Sequence, residues 1–152
     1  MLFRSPWLDK LESLVPKLDF ISVHTYPLWE YKSVDDALEY TISNVRSVAL
    51  KYPNKPIVVT EAGWATKSNG RGMPAHHANV EWQSIYCQQL MAWSKKSGVV
   101  VFVFEAFDEP WKGSADPLEP EKHWGLYTVD RIPKPACSNL FALEHHAQET
   151  LI

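Results

Sequence analysis

The chain has 152 residues, of which 45% are hydrophobic and 22% charged, a composition typical of one globular domain over residues 1–152. Its 15 basic and 18 acidic residues give a net charge of -3, and no cluster of Lys or Arg alternates with aromatic residues, which excludes a nucleic-acid partner. The longest apolar run, residues 99–104, is far too short to cross a bilayer, and residues 1–6 lack the apolar stretch of a signal peptide.

We therefore expect no membrane partner for this chain. Its localisation stays open, because a longer parent protein would be free to carry a signal peptide or an anchor. The two cysteines, Cys87 and Cys137, have neither metal-binding nor redox spacing, so we expect buried thiols rather than a disulfide. Seven tryptophans are unusual for this length, and several stand in predicted loops, where aromatic rings suit sugars or partner surfaces.

The first predicted elements are a short helix and a strand. Ser5-Pro6 has the form of a helix start, and apolar residues follow at helical spacing until Pro16. Residues 18–27 are rich in β-branched and aromatic side chains and end in a proline, which predicts a strand. The end of that strand carries His24 and Tyr26.

A long helix is predicted next, capped by Ser33, with apolar residues three or four positions apart as far as Ala49. Residues 56–64 then form an apolar run that predicts a strand buried on both faces, ending at Glu61. A polar loop and a third helix follow. Trp82 and Trp93 fall on the apolar stripe of that helix, which assigns them to the core, and Gly98 ends it.

Residues 99–104 predict a third strand, fully apolar and followed by three acidic residues, Glu105, Asp108 and Glu109. Residues 111–130 are loop-like, and a last helix is predicted from about Ser138. Alternating helices and strands with long connections predict an α/β fold with a parallel sheet. All three strands end in polar residues, at the edge where such folds build active sites.

Three segments together resemble glycoside hydrolase family 17, the β-1,3-glucanases and glucan transglycosylases. They are His24-Thr25-Tyr26-Pro27, then Val59-Thr60-Glu61-Ala62-Gly63-Trp64, and then residues 104–112 followed by Trp124-Gly125-Leu126. The resemblance implies a (β/α)8 TIM barrel. Because such a barrel takes about 250 residues and only three strands are predicted, we expect about the last three βα units, the C-terminal portion of a glycosidase barrel.

The resemblance also implies a retaining mechanism on β-1,3-glucan-type oligosaccharides, with Glu61 as nucleophile and a second carboxylic acid about 5 Å away. Tyr26 matches a tyrosine near the nucleophile and would hold it ionised. The other positions carried over as catalytic are Glu109, Lys112 and Glu121. Trp64 and Trp124 are the first candidates for sugar stacking and Trp111 a weaker one; His24, Glu105 and Asp108 complete the expected substrate-binding set.

Plainer interpretations stay open for several of these residues. Tyr26 could close a strand against the core, and Lys112 with Glu109 could be a solvated surface pair. His76 and His77 precede a helix and are expected in a loop. A metal cluster of His24, Glu61 and His76 lacks any fixed ligand spacing, so we expect no metal and no cofactor.

The sequence departs from the family in one respect. The family's general acid lies in an Asn-Glu motif on the fourth strand, and this chain contains no Asn-Glu dipeptide. We therefore expect either a fragment of a longer enzyme, with the acid absent or supplied by Glu105, Glu109, Glu121 or a partner chain, or a non-catalytic carbohydrate-binding remnant. Because a three-stranded sheet has open edges, we also expect a homo-oligomer that completes the barrel.

Overall fold

A three-stranded parallel sheet forms the centre of the fold. The computed structural model describes residues 12–138 and residue 140. Its strands are β1 (Ile21–Thr25), β2 (Ile57–Ala62) and β3 (Val101–Val103), in the order β1-β2-β3 with both pairs parallel. Helices α1 (Val34–Lys51) and α2 (Val80–Ser97) connect successive strands. This arrangement confirms the predicted α/β alternation.

Helix α1 begins and ends close to the predicted residues. The hydroxyl of Ser33 donates to Asp36 Oδ2 at 3.0 Å, and Asp35 and Asp36 lie in the positive first turn. The buried side chains of α1 recur three or four positions apart: Val34, Ala37, Thr41, Val45 and Val48. This stripe packs the helix against the sheet.

Helix α2 is fixed at both ends by local signals. The side chain of Asn79 accepts a hydrogen bond from the backbone N–H of Trp82 at 2.8 Å. At the other end Gly98 adopts φ 74° and closes the helix. Trp82 and Trp93 pack against the buried core, which confirms the prediction that they are core residues.

The helices cover only one face of the sheet. Val23, Val59 and Leu90 are fully buried between the sheet and the helices, whereas Val100 and Phe102 are 53% and 58% exposed. In β2, Val59 and Ala62 are buried but Val58 and Thr60 are only half-buried. The prediction that the second strand is buried on both faces is therefore wrong, because an apolar run does not show what covers it. The third strand is also shorter than predicted and spans Val101–Val103.

The connections contain short 3₁₀ helices at Val15–Lys17, Pro27–Glu30, Ala75–His77 and Pro120–Lys122. Pro27 thus begins a 3₁₀ turn two residues after β1 instead of closing the strand. Most of the predicted first helix, over residues 5–11, lies outside the described residues. The predicted last helix is helical over residues 135–138 and at 140, and its remainder also lies outside them.

The segment after β3 folds back on itself beside the sheet. Leu126 N–H donates to the Glu105 carbonyl and Lys134 N–H to the Leu126 carbonyl, both at 2.9 Å. Cys87 and Cys137 are buried free thiols, as predicted. In the described part of the chain, no helix has the length and apolar character needed to cross a membrane.

Candidate active site

The carboxyl ends of β1 and β2 bring Tyr26 and Glu61 into contact. The Tyr26 hydroxyl donates to Glu61 Oε2 at 2.5 Å, and His24 Nδ1 lies 3.2 Å from the same oxygen. A register shift after Val23 sets His24 opposite Glu61 in the parallel ladder. The Glu61 side chain remains 35% exposed, so its carboxylate has two neighbours and is still open to solvent.

Tyr26 is held in its neutral, donating form. Burial raises the pKa of Tyr26 well above its usual range, and the hydrogen bond to Glu61 raises it further. The negative charges of Glu61, Glu121 and Glu105 add to this shift. The hydroxyl therefore donates to Glu61 throughout the neutral range, and both Glu105 and Glu121 lie within its electrostatic reach.

A second charged group lies just after β3, around Lys112. Lys112 Nζ is 2.8 Å from Glu105 Oε2 and also pairs with Glu109. Its ammonium stands 4.8 Å from the centre of the Phe104 ring, which is a cation–π contact. Burial lowers the pKa of Lys112, but the two carboxylates outweigh burial and raise it. The expected pairing of Glu109 with Lys112 is present, and Glu105 joins it.

Glu105 and Glu121 both have carboxyl groups that burial makes more basic. Burial raises the pKa of Glu105, against the effect of Lys112 and with that of nearby Glu109. The Glu105 side chain is only 14% exposed, and among the described residues its Oε1 atom has no hydrogen-bond partner. Burial also raises the pKa of Glu121, with Lys112 opposing. These carboxyls are more easily protonated than exposed ones.

Trp124 lies between these two groups but presents no face to solvent. Its indole is 1% exposed and packs edge-on against Tyr26, with ring centres 5.1 Å apart. Trp29 and Phe104 flank it at 6.1 and 6.2 Å. The expectation that Trp124 stacks on a sugar ring is therefore wrong, because its ring is enclosed by other aromatic side chains. Its role is to pack against Tyr26.

Trp64 is also part of the core. It is fully buried, its Nε1–H donates to the His77 carbonyl at 2.9 Å, and its ring contacts Trp82 and Tyr86. The expectation of a sugar platform at Trp64 is wrong for the same reason. Trp111, expected to be the weaker candidate, is 72% exposed, which leaves its ring open to a ligand.

Asp108 is occupied by contacts within the chain. Its Oδ1 atom accepts hydrogen bonds from Lys134 Nζ at 2.7 Å and from Gly125 N–H at 3.0 Å. Burial opposes ionisation, but nearby His123, 4.0 Å away, and the hydrogen bonds from Lys134 and Gly125 outweigh it and lower the pKa of Asp108. The Asp108 carboxylate thus holds the segments around Gly125 and Lys134 in place, whereas the sequence predicted that it binds substrate.

The residues of the suggested metal cluster are not gathered. His24 contacts Glu61, whereas the ring of His76 packs against His77, at 4.4 Å between ring centres. Within residues 12–138, no group of three His, Cys, Asp or Glu side chains is placed to hold a metal ion.

Sequence reasoning missed Phe104, Trp29 and Lys134. Phe104 contacts Tyr26 edge-on, with ring centres 5.7 Å apart, and its position at the end of an apolar strand was a usable signal. Trp29 stands three residues after Tyr26, and nothing in this spacing indicates that its ring packs near Trp124. Lys134 lies between two prolines in a loop, far along the chain from its partners.

The chain is similar to known glycoside hydrolases in both sequence and structure. The sequence profile of the BtgE/BtgC glycoside hydrolase domain matches residues 4–125. A glycoside hydrolase family 17 β-1,3-glucanosyltransferase from Rhizomucor miehei has a similar structure, with a TM-score of 0.71 and 29% identity. That match covers 82% of this chain and 44% of the other. The chain belongs to glycoside hydrolase family 17.

Two other proteins are also similar to this family 17 chain. An endo-laminarinase from Formosa Hel1_33_131 has a TM-score of 0.77 and 30% identity, covering 93% of this chain and 44% of that one. A glucan 1,3-beta-glucosidase from Arthroderma benhamiae is 29% identical over an alignment of 129 residues, and the match covers 76% of this chain and 41% of the relative. The family 17 chain therefore spans less than half the length of these proteins.

Proposed function

We propose that this chain is the C-terminal portion of a retaining glycoside hydrolase or transglycosylase acting on β-1,3-glucan-type oligosaccharides, with Glu61 as nucleophile. The observation that carries the proposal is the hydrogen bond from Tyr26 to Glu61 at the carboxyl end of a parallel sheet. Active sites of (β/α)8 barrels lie at that end. The names of the related glucanases and glucanosyltransferase support the substrate class.

In this mechanism the Glu61 carboxylate attacks the anomeric carbon of a β-linked glucose, and the bond to the leaving oxygen breaks. A covalent glycosyl ester results, and water or a second sugar then displaces the carboxylate. Water gives hydrolysis and a sugar gives transfer. Tyr26 stabilises the ionised nucleophile by donating its proton toward Oε2, and its raised pKa keeps that proton in place.

The general acid of the proposed reaction would come from outside the three strands of this chain. The family's acid lies in an Asn-Glu motif that this sequence lacks, and the chain spans less than half of its relatives. Glu105 is a poor substitute, because Lys112 occupies one of its oxygens and the other is buried. Glu121 is the better internal alternative, since burial raises its pKa and it lies near Tyr26.

The proposed architecture is a partial (β/α)8 barrel whose uncovered sheet face meets the rest of the barrel. Val100, just before β3, and Phe102 on β3 are both exposed, which supports an interface there. A second copy of this chain is one way to cover the face, which would make a homo-oligomer. Light scattering tests this: we expect a dimer or larger species, and a monomer at all concentrations would contradict self-association.

The proposed partner is a β-glucan oligosaccharide. An active-site mutant of the Rhizomucor miehei glucanosyltransferase has a structure in complex with laminaritriose, which supports a ligand of this class. On this chain Trp111 is the proposed platform, since its ring is exposed next to Lys112. The alternative function is a non-catalytic carbohydrate-binding remnant.

Turnover of an aryl β-glucoside with a good leaving group tests the nucleophile without requiring a general acid. We expect the wild-type chain to release the phenol and Glu61→Ala to lose at least about 10³-fold in rate. Azide should restore release in Glu61→Ala, because a small anion can enter the vacated space and attack the anomeric carbon. Glu81→Ala, on the exposed side of α2, is the matched control and should keep the wild-type rate.

Three results are distinguishable. Turnover that depends on Glu61 supports the enzyme, and the α-configuration of the azide product would support attack from the nucleophile's face. Laminari-oligosaccharide binding without turnover would favour the binding remnant. If neither binding nor turnover occurs, the proposed role of Glu61 in this chain fails.

A further inference from the structure

Lys134 is a buried lysine that lies beyond the matched family segment, residues 4–125. Its side chain is only 7% exposed, and buried lysines are rare unless their charge is paired. Here the ammonium donates to Asp108 Oδ1 at 2.7 Å and to Thr66 Oγ1 at 2.9 Å. It therefore joins the segment after β2 to the segment after β3.

The two acceptors, Thr66 and Asp108, each form hydrogen bonds with a residue next to Trp124. Thr66 bonds to the His123 carbonyl twice, through its N–H at 2.9 Å and its hydroxyl at 3.1 Å. Asp108 accepts from the Gly125 N–H at 3.0 Å. His123, before Trp124, is thus bonded to Thr66, and Gly125, after it, is bonded to Asp108. Thr66 and Asp108 both accept hydrogen bonds from the Lys134 ammonium.

Gln83 supplies a second support for the same segment. It is 1% exposed, and its Nε2 atom lies 3.3 Å from the Trp124 carbonyl and 3.1 Å from the Gly125 carbonyl. It also donates to the Trp64 carbonyl at 2.9 Å. Because Gln83 holds the segment from the helix side, loss of the Lys134 contacts should shift Trp124 without unfolding this region.

The placement of Trp124 matters because its ring packs against Tyr26 at 5.1 Å between ring centres. Tyr26 in turn donates to Glu61. We propose that Lys134 is a positioning residue: it holds Trp124 against the tyrosine that binds the proposed nucleophile. A contact that serves only the fold would lower stability and leave the surroundings of Tyr26 unchanged.

The test uses the full chain with the double variant Lys134→Met/Asp108→Asn. Removing both charges avoids leaving one of them buried and unpaired. The ring resonances of Tyr26, assigned with Tyr26→Phe, report on Trp124 through its ring current, and Trp124→Leu gives the shift expected when the indole is lost. Lys55→Met is the matched control, since Lys55 donates to the Leu18 carbonyl at 2.6 Å, near the start of β1.

We expect the Tyr26 resonances of the double variant to move toward those of Trp124→Leu, and those of Lys55→Met to stay at the wild-type positions. A folded double variant with wild-type Tyr26 resonances would overturn the proposal. If the double variant does not fold, Thr66→Val is measured by the same readout. It keeps the buried charges paired but removes both the acceptor of Lys134 and the hydroxyl bond to the His123 carbonyl, so wild-type Tyr26 resonances in this variant would overturn the proposal.

The kcat and KM for the activated aryl β-glucoside are a second measurement, and this one rests on the proposed function. If the wild-type chain turns over the activated aryl β-glucoside, the double variant should lose about tenfold in kcat and keep KM within about twofold. An unchanged kcat would count against positioning. If the wild-type chain shows no turnover, the proposed function fails, while the Tyr26 resonances still decide the role of Lys134.

Discussion

The segments at the carboxyl ends of β2 and β3 occupy equivalent places at the same end of the sheet, and each carries a glutamate in a different environment. Glu61 is the penultimate residue of β2, and Glu105 stands two residues after β3. Glu61 contacts the Tyr26 hydroxyl and the His24 ring, has no Lys or Arg among its described ion-pair partners, and is 35% exposed. Glu105 is paired with Lys112 and is 14% exposed. A carboxylate that must attack a substrate needs access and a free charge, and only the first environment supplies both.

A position at a strand end therefore does not by itself determine the chemical role of a glutamate. Lys112 pairs with the two carboxylates after β3 and fixes them in place, so that segment is suited to hold charge near the site. The hydroxyl of Tyr26 stabilises Glu61 without neutralising it. The two environments therefore correspond to a reacting group and to its electrostatic surroundings.

The largest expected effect comes from Gly63, where the two segments touch. A Cβ at this position would lie 1.9 Å from the Phe104 carbonyl oxygen, so Gly63→Ala must push the segments apart. We expect it to lower the free energy of unfolding in urea by about 3 kcal/mol or more. Gly98→Ala is the control: its added Cβ meets nothing within 4 Å, and its positive φ should cost only about 1 kcal/mol. Similar losses in both variants would show that the segments are not in close contact.

Lys112→Met should disturb the segment after β3 and spare the pair at Glu61. Two partly buried carboxylates would lose their cation, and we expect a loss of about 2 kcal/mol at neutral pH. The pKa of Glu105, which burial already raises, would then lie further above that of the unfolded chain, so the deficit is full at neutral pH and shrinks as the pH falls and protonation removes the charge.

Thermal unfolding between neutral and acidic pH measures this deficit. The control is Lys122→Met, since Lys122 bonds to the Pro110 carbonyl and not to a carboxylate. We expect a smaller loss there with little pH dependence. A Lys112→Met deficit that grows toward acidic pH would contradict the described pairing.

Tyr26→Phe should disturb Glu61 and spare the group around Lys112. Loss of one hydrogen bond to a carboxylate that water can reach should cost about 1 kcal/mol or less in stability. If the chain turns over the activated glucoside, we expect a fall of about tenfold to 100-fold in kcat/KM. Tyr31→Phe, at a residue 64% exposed, should change neither quantity, and equal behaviour of the two variants would contradict the role given to Tyr26.

Trp111→Ala should have the smallest effect on the fold, because the side chain is 72% exposed. We expect a change in stability within about 0.5 kcal/mol. Calorimetric titration with laminari-oligosaccharides should show affinity lowered by about tenfold, in keeping with the loss of one stacking contact. Unchanged affinity would remove Trp111 from the proposed binding surface.

The elements that the sequence predicted well depend on local chemistry. Ser33 and Gly98 mark the helix ends they were expected to mark, since caps act over a few residues. The exposure of Phe102 could not be predicted, because an apolar run does not reveal which face the helices cover.

Within the site, the resemblance and the plainer interpretation as a surface pair both put Glu109 beside Lys112, and the two residues stand three positions apart. The contact of Lys112 with Glu105 depends on how the loop folds back, as does the bridge from Lys134 to Thr66 across 68 positions. Trp64 and Trp111 both follow strands in the sequence, and only tertiary packing buries one and exposes the other.

The most direct test of the central claim is to trap the covalent intermediate with a 2-deoxy-2-fluoro-β-glucoside that carries a dinitrophenyl leaving group. The fluorine slows breakdown of the glycosyl ester, and the leaving group needs no general acid, so a functional nucleophile stays labelled. Peptide mass spectrometry should then find the fluoroglucosyl group on Glu61. A label on Glu105, Glu109 or Glu121, or turnover of the parent glucoside with no trapped ester at Glu61, would contradict the account.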